Sequence, residues 1–292
     1  MSSSRKDSVS GERTAAAVLL KQAISLDGQS RRLEALACYR EGIALLLQDF
    51  KKLADNEEQL KETMRKRISE YMTRAEALKS AIDLDKEAGR FHEQIHIAKD
   101  DVGFGYDRLF SGVLDDEITS VEVEDAYIRH PHQLTNFVRF CELLIVKCPK
   151  LRRVALTTGR DENPTTLENQ RKVFLTDLKN SLKSRSVDFV VAFNDSLHDR
   201  EIRFDNGWTV KIGRGLDYFQ RVPKYTVGAN DMNLRPCQET TVDIFHSSNA
   251  FSPTSDNAML TIEFVCWYSV IPVPFERSVN AKSSEFAILN AQ

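Results

Sequence analysis

From Thr14 to about Leu84 apolar residues return every three to four positions, in a stretch rich in Ala, Leu, Glu, Lys and Arg and almost without Gly or Pro. That spacing predicts helix throughout. Two breaks divide it into three. At Asp27-Gly28-Gln29-Ser30, Gly28 suits a left-handed C-terminal position and Ser30 the next N-cap; at the second break Asp55 and Glu58 suit a capping box. The stripes are Ala16, Leu19, Leu20, Ala23 and Leu26, then Leu36, Tyr39, Ile43, Leu46, Leu47 and Phe50, then Met64, Ile68, Tyr71, Ala75, Leu78 and Ile82. Such stripes pack inward in a bundle. Met72 lies beside the third stripe with Glu76 one turn on, which fits either a peripheral core methionine or the margin of a groove for a partner helix.

Past Leu84 the period changes. Residues 86–105, charged and then punctuated by glycine, read as a linker. Ser120–Glu124, Val154–Thr157 and Val187–Phe193 are β-branched or alternating runs, and Gln133–Val146 and Leu167–Leu182 read as helices between them. This alternation predicts an α/β layered domain over 106–246. Within it Ile202 and Phe204 alternate into Asp205-Asn206-Gly207, and Trp208, Val210 and Ile212 alternate out, a strong hairpin signal. The ends read differently: residues 1–13 are polar with no apolar core and are expected to be a disordered lead-in. Residues 247–292 are expected to be a disordered tail, because the apolar run Met259–Phe275 carries Glu263, Pro272 and Pro274 and is too short and broken to span a bilayer.

A length of 292 residues fits two domains, and 41% hydrophobic content supplies ordinary cores. With a net charge of −3 no global field draws the chain to nucleic acid, so none is expected as a partner, and any anionic surface must be met locally. Five scattered cysteines without metal-ligand spacing fit reduced thiols in a cytoplasmic protein, with no disulfide framework, metal or cofactor.

His92-Glu93-Gln94-Ile95-His96 matches a zinc-protease pattern that works only on a helix, yet Phe91, Glu93, Ile95 and Ile97 alternate as in an extended strand. His198-Asp199-Arg200-Glu201-Ile202-Arg203-Phe204-Asp205 reads as a basic variant of the phospholipase D signature, in which histidine attacks phosphorus and the cation two residues on holds phosphate oxygens. A second such motif is missing: neither His130 nor His132 has a lysine two residues later. His198, Arg200 and Asp205 are therefore candidates for a catalytic relic, with Asp205 also explained as the first residue of the hairpin turn. Phosphate capture by Arg200 without bond cleavage is the favoured reading, and a dimeric phosphodiesterase using His198 is the alternative. Basic residues gather at Lys147, Lys150, Arg152 and Arg153, and again at Arg203, Lys211, Arg214, Arg221 and Lys224, a candidate patch for acidic lipid. Gly213-Arg214-Gly215 inside it offers close backbone approach to phosphate.

The residues Ala35-x-x-x-Tyr39-x-x-Gly42-Ile43-x-x-Leu46-Leu47 and Arg67 to Lys79, with Arg74-Ala75-Glu76 at their centre, resemble the microtubule-interacting and trafficking (MIT) domain. His198 to Phe204, Gly207-Trp208, Ile212 to Phe219 and Leu234 to Cys237 resemble the phospholipase D-like domain of the MIT proteins that carry one. The implied fold is multidomain: an all-α three-helix bundle over 14–85, then an α/β phospholipase D-like domain. The implied partners are C-terminal helices of ESCRT-III subunits and, peripherally, acidic phospholipid membrane, with homodimerisation through the C-terminal domain. The implied setting is abscission and endosomal trafficking, at the late endosome membrane and midbody. Site residues implied for the ESCRT-III tail are Tyr39, Ile43, Leu47, Arg65, Ile68, Met72, Glu76 and Lys79; those for lipid or phosphate are Arg200, Arg203, Lys211, Arg214, Arg221 and Lys224. Where MIT domains often have Asp, Thr73 stands, removing an exposed ion pair worth under about 1 kcal/mol.

Overall fold

Three helices open the fold, α1 over Ser3–Gly28, α2 over Arg32–Lys51 and α3 over Glu58–Glu87. The computed structural model describes residues 3–54, 56–159 and 166–247. Helix α2 packs on both α1 and α3. Leu20, Ala23, Tyr39, Ile43, Ile68, Ala75, Leu78 and Ile82 are buried, so the three stripes do face inward. Helix α1 starts inside the expected lead-in, where a proline-free run containing Arg, Lys and Glu continues the helix. The first break is also built differently from expectation. Ser30, at φ 60°, takes the left-handed position, and α2 is preceded by Arg31 with no side-chain cap. Asp55 lies outside the described residues, and α3 begins after Glu57, whose Oε2 accepts the Ala54 amide at 3.0 Å.

The rest is one seven-stranded mixed sheet with helices. Its strands are β1 (His92–Ile97), β2 (Ser120–Asp125), β3 (Arg153–Thr158), β4 (Asp188–Phe193), β5 (Arg200–Phe204), β6 (Trp208–Ile212) and β7 (Thr240–His246), in spatial order β1-β7-β6-β5-β2-β3-β4. Parallel pairing of β2 with β3 and β3 with β4 requires crossovers, which α5 (Pro131–Lys147) and α6 (Thr166–Lys183) supply. The β5–β6 hairpin turns at Gly207, φ 92°, as its Asn-Gly pair demands. A short helix α4 (Tyr106–Leu109) leads into an aromatic core of Tyr106, Phe110, Phe140 and Tyr218.

The stretch read as a linker is largely not one. Strand β1 pairs antiparallel with β7, with Glu93, Ile95 and Ile97 buried and His92, Gln94 and His96 exposed. The alternation from Phe91 to Ile97 wins because it adds an edge strand to an apolar sheet face. The same strand holds the helical module: Glu93 Oε2 accepts the Arg32 amide at 2.9 Å and the Leu33 amide at 3.3 Å, closing the N-terminus of α2 from outside the bundle. Arg31 and Arg32 stack over Phe104 and Phe91, and Lys86 of α3 over Trp208. The expected tail lies outside the described residues from residue 248 onward. Cys38, Cys141, Cys148 and Cys237 are free thiols, and no helix among the described residues is long and apolar enough to cross a membrane.

Candidate functional site

The α2–α3 face has a buried floor and a half-open rim. Tyr39, Ile43 and Ile68 are 3%, 1% and 6% exposed, so these expected contact residues support the face from within and cannot touch a ligand as it stands. Leu47 and Met72 are half-buried against the same core and present their outer sides, with Glu76 half-buried one turn beyond Met72. Charges flank this strip. Arg65 bonds Glu58 and Glu62 at 3.2 and 3.3 Å and lies over Phe50, while Lys79 pairs with Asp83 at 3.0 Å. Arg74 turns away from the strip: its guanidinium clamps Asp27 of α1 at 2.6 and 2.7 Å, and Asp27 Oδ2 also receives the Tyr39 hydroxyl at 3.5 Å. That hydrogen bond from Arg74 holds the Asp27 carboxyl below its ordinary pKa. Thr73 returns its hydroxyl to Ser69 O at 2.9 Å.

In the sheet domain the motif residues separate. His198 is exposed in the loop before β5. Arg200, at the start of β5, stacks 4.1 Å over the Tyr127 ring centroid, donates to Gly213 O at 2.7 Å and lies 3.9 Å from Asp125. Asp205 sits at the other end of β5, where it accepts the Thr119 and Ser120 amides and the Thr119 hydroxyl, a structural tie to the start of β2. Gly215, at φ 59°, does not wait for phosphate: a Cβ there would stand 1.9 Å from Asp125 Oδ2, so the carboxylate already fills that approach. Burial raises the Asp125 pKa.

The basic cluster also divides. Arg203 is held by Glu124 at 3.0 Å, by Glu122 at 3.7 Å and by Glu201, and Lys211 by Glu201 at 3.0 Å. Burial pushes the Glu201 pKa up, but Lys211 and Arg203 together outweigh it and hold it low. Arg203 is therefore engaged as a structural cation among carboxylates. Arg214, Arg221 and Lys224 are exposed, with Arg214 Nε donating to the Glu239 carbonyl at 3.0 Å.

Residues 14–80 match the sequence profile of the MIT (microtubule interacting and transport) domain, and residues 103–246 that of the phospholipase D-like domain at the C-terminus of MIT. A Mus musculus protein, MIT domain-containing protein 1, is 47% identical over 238 residues, which cover 81% of this chain and 94% of that protein. The chain belongs to this MIT domain family. Its α1–α3 bundle thus contains the MIT domain, and β2 to β7 belong to the phospholipase D-like domain, with β1 pairing onto β7 from ahead of the matched residues. What sequence reading missed in the latter is a set of contacts remote along the chain. His132 Nε2 lies 3.1 Å from Asp217 Oδ2, Asn136 holds the other Asp217 oxygen at 2.9 Å, and Arg221 approaches His132 Nδ1 at 3.4 Å. With Asn136 and Asp217 81 positions apart in sequence, no local motif signals them. The two zinc-pattern histidines point to solvent, His92 bonding Asp243 at 2.8 Å, and no cluster able to hold a metal ion occurs among the described residues.

Proposed function

We propose that this chain is an adaptor that binds C-terminal helices of ESCRT-III subunits through its MIT domain and couples them to acidic membrane, in cytokinetic abscission and endosomal trafficking. MIT domains generally bind ESCRT-III proteins. The observation that carries the reading here is that Leu47 of α2 and Met72 of α3 are each half-buried over the core, with Glu76 half-buried one turn beyond Met72. An amphipathic helix laid along the α2–α3 face would cover both apolar side chains and offer a basic residue to Glu76. The test is binding of the full chain to a panel of ESCRT-III C-terminal peptides. Met72→Asp is expected to weaken the best binder at least about tenfold, because it places a charge under an apolar contact. Unchanged affinity would refute the groove.

The membrane half rests on Arg214, Arg221 and Lys224, each worth roughly 1 kcal/mol near an anionic surface, and on a homodimer that doubles those contacts. Peripheral recruitment to late endosome membrane and midbody follows from the two interactions together. No catalysis is required: Arg200 is engaged within the fold, and the recess beside it and Asp125 has room for about one water. Phosphodiester turnover by the wild-type chain, abolished by His198→Ala, would overturn that part.

A further inference from the structure

Phe219 and Cys237 meet in an antiparallel bridge, and the chain between them forms a closed loop. Its neck is tied by the Gln220 amide donating to Pro236 O at 2.9 Å and by Gln220 Nε2 donating to Cys237 O at 2.7 Å. Guanidinium groups brace its interior. Arg235 donates to Gly228 O at 2.7 Å and to Ala229 O, and Arg139 of α5 reaches Ala229 O at 3.4 Å. At the tip, the Thr226 amide and hydroxyl both donate to Pro223 O, at 3.2 and 2.8 Å.

This bracing holds two large apolar side chains in solvent. Tyr225 is 91% exposed and Val227 79% exposed. Flanking them, Lys224 Nζ lies 5.4 Å from the Tyr225 ring centroid and Arg221 stands exposed at the neck. An aromatic ring with a polar tip, an aliphatic neighbour and adjacent cations match the layered chemistry of an acidic bilayer surface, apolar below and anionic at the headgroups. A protein partner matches less well, since one narrow tip supplies far less than the roughly 800 Å² per partner of a specific interface.

We propose that the Pro223–Val227 tip inserts into the interface of an anionic bilayer, Tyr225 and Val227 entering beneath the headgroups that Lys224 and Arg221 hold. This rests on the membrane reading above and assigns that contact its apolar component. Because the tip's shape is set by backbone and arginine bonds rather than by the two side chains, both can be replaced without unfolding.

The experiment is co-sedimentation of the full chain with phosphatidylcholine vesicles, with and without phosphatidylserine, comparing wild type with the pair Tyr225→Ser, Val227→Ser. The pair is expected to lower partition into the anionic vesicles by about tenfold or more. In a Tyr225→Trp chain the emission gained over wild type, which already holds Trp208 and Trp267, is expected to shift blue on adding anionic vesicles and to be quenched by acyl-chain-brominated lipid. Wild-type pelleting matched by the serine pair, with no quenching, would overturn insertion and leave the tip to a protein partner. Failure of wild type to pellet would remove the membrane reading itself and this inference with it.

Discussion

The Arg32 amide donates to Glu93 Oε2 at 2.9 Å across 61 residues of chain, so the MIT domain's second helix begins on a carboxylate of strand β1 of the sheet. A carboxylate at a helix N-terminus is favoured by the helix dipole and the free amides. Here it is also buried, and its Oε1 has no partner. Burial drives the Glu93 pKa up to about 7, with Glu34 adding to the rise and the two amides and Arg32 opposing it. A carboxyl raised in the folded state contributes stability that is full below its unfolded value near 4.5 and lost as pH climbs to about 7. Relative to Glu93→Gln, wild type should therefore lose on the order of 3 kcal/mol across that window. Burial lowers the His246 pKa, which acts with the opposite sign, so the wild-type minus variant difference is the quantity to follow. Urea denaturation of both chains across the window checks it; parallel curves would mean that Glu93 titrates as if exposed.

Arg74 gives the helical bundle a second tie. Its bidentate bond to Asp27 fastens α3 to the end of α1, with the Arg74 side chain 55% exposed and Asp27 12%. Replacing the fork by a point charge in Arg74→Lys should cost about 1 kcal/mol. Because Arg74 lowers the Asp27 pKa, the tie's contribution is present above about 3.8 and fades as pH falls through the lowered value. The gap between wild type and variant in denaturation should thus close in acid, while peptide affinity changes far less than in Met72→Asp. An equal loss of affinity would place Arg74 in the groove.

Arg203 and Arg214 differ in engagement, the first set among carboxylates and the second exposed. Arg203→Ala removes the cation between Glu122 and Glu124 and leaves Glu201 to Lys211 alone, and is expected to destabilise the domain by about 2 kcal/mol, with vesicle binding by the folded fraction unchanged. Arg214→Glu should leave stability within about 0.5 kcal/mol and reduce pelleting with anionic vesicles. Thermal melting beside sedimentation reads both; the reverse assignment would return Arg203 to the lipid site.

These contrasts mark where sequence stops being informative. The three helices, strands β2 to β6 and the Asn-Gly hairpin are local patterns, so period and turn chemistry reveal them. Strand β1 was visible as alternation from Phe91 to Ile97, but its partner β7 lies far along the chain, and charged neighbours made the segment read as a linker. Met72 was picked out on its helix edge, whereas Tyr39, Ile43 and Ile68 share the groove's sequence spacing and differ only in depth, which packing decides. Arg203 and Arg214 look alike in sequence; only the cross-strand carboxylates distinguish them.

Gly112 tests how firmly the MIT domain is seated. It lies in the turn after α4, where a Cβ would come 2.5 Å from Leu33 Cβ and 3.1 Å from the Leu33 backbone. Leu33 is buried in the first turn of α2, and its amide is one of the two that Glu93 accepts. Backbone cannot swing aside as a side-chain tip can, so Gly112→Ala should push α2 off β1 at a cost of about 1–3 kcal/mol. The Arg32 and Leu33 amides lose their acceptor in that shift and should exchange hydrogen faster, while the α2–α3 floor and peptide affinity stay intact. Exchange unchanged at both amides would mean that the Glu93 cap survives the added methyl, and that Glu93 and the cation–π contacts of Arg31 and Arg32 fix the MIT domain without needing the close approach at Gly112.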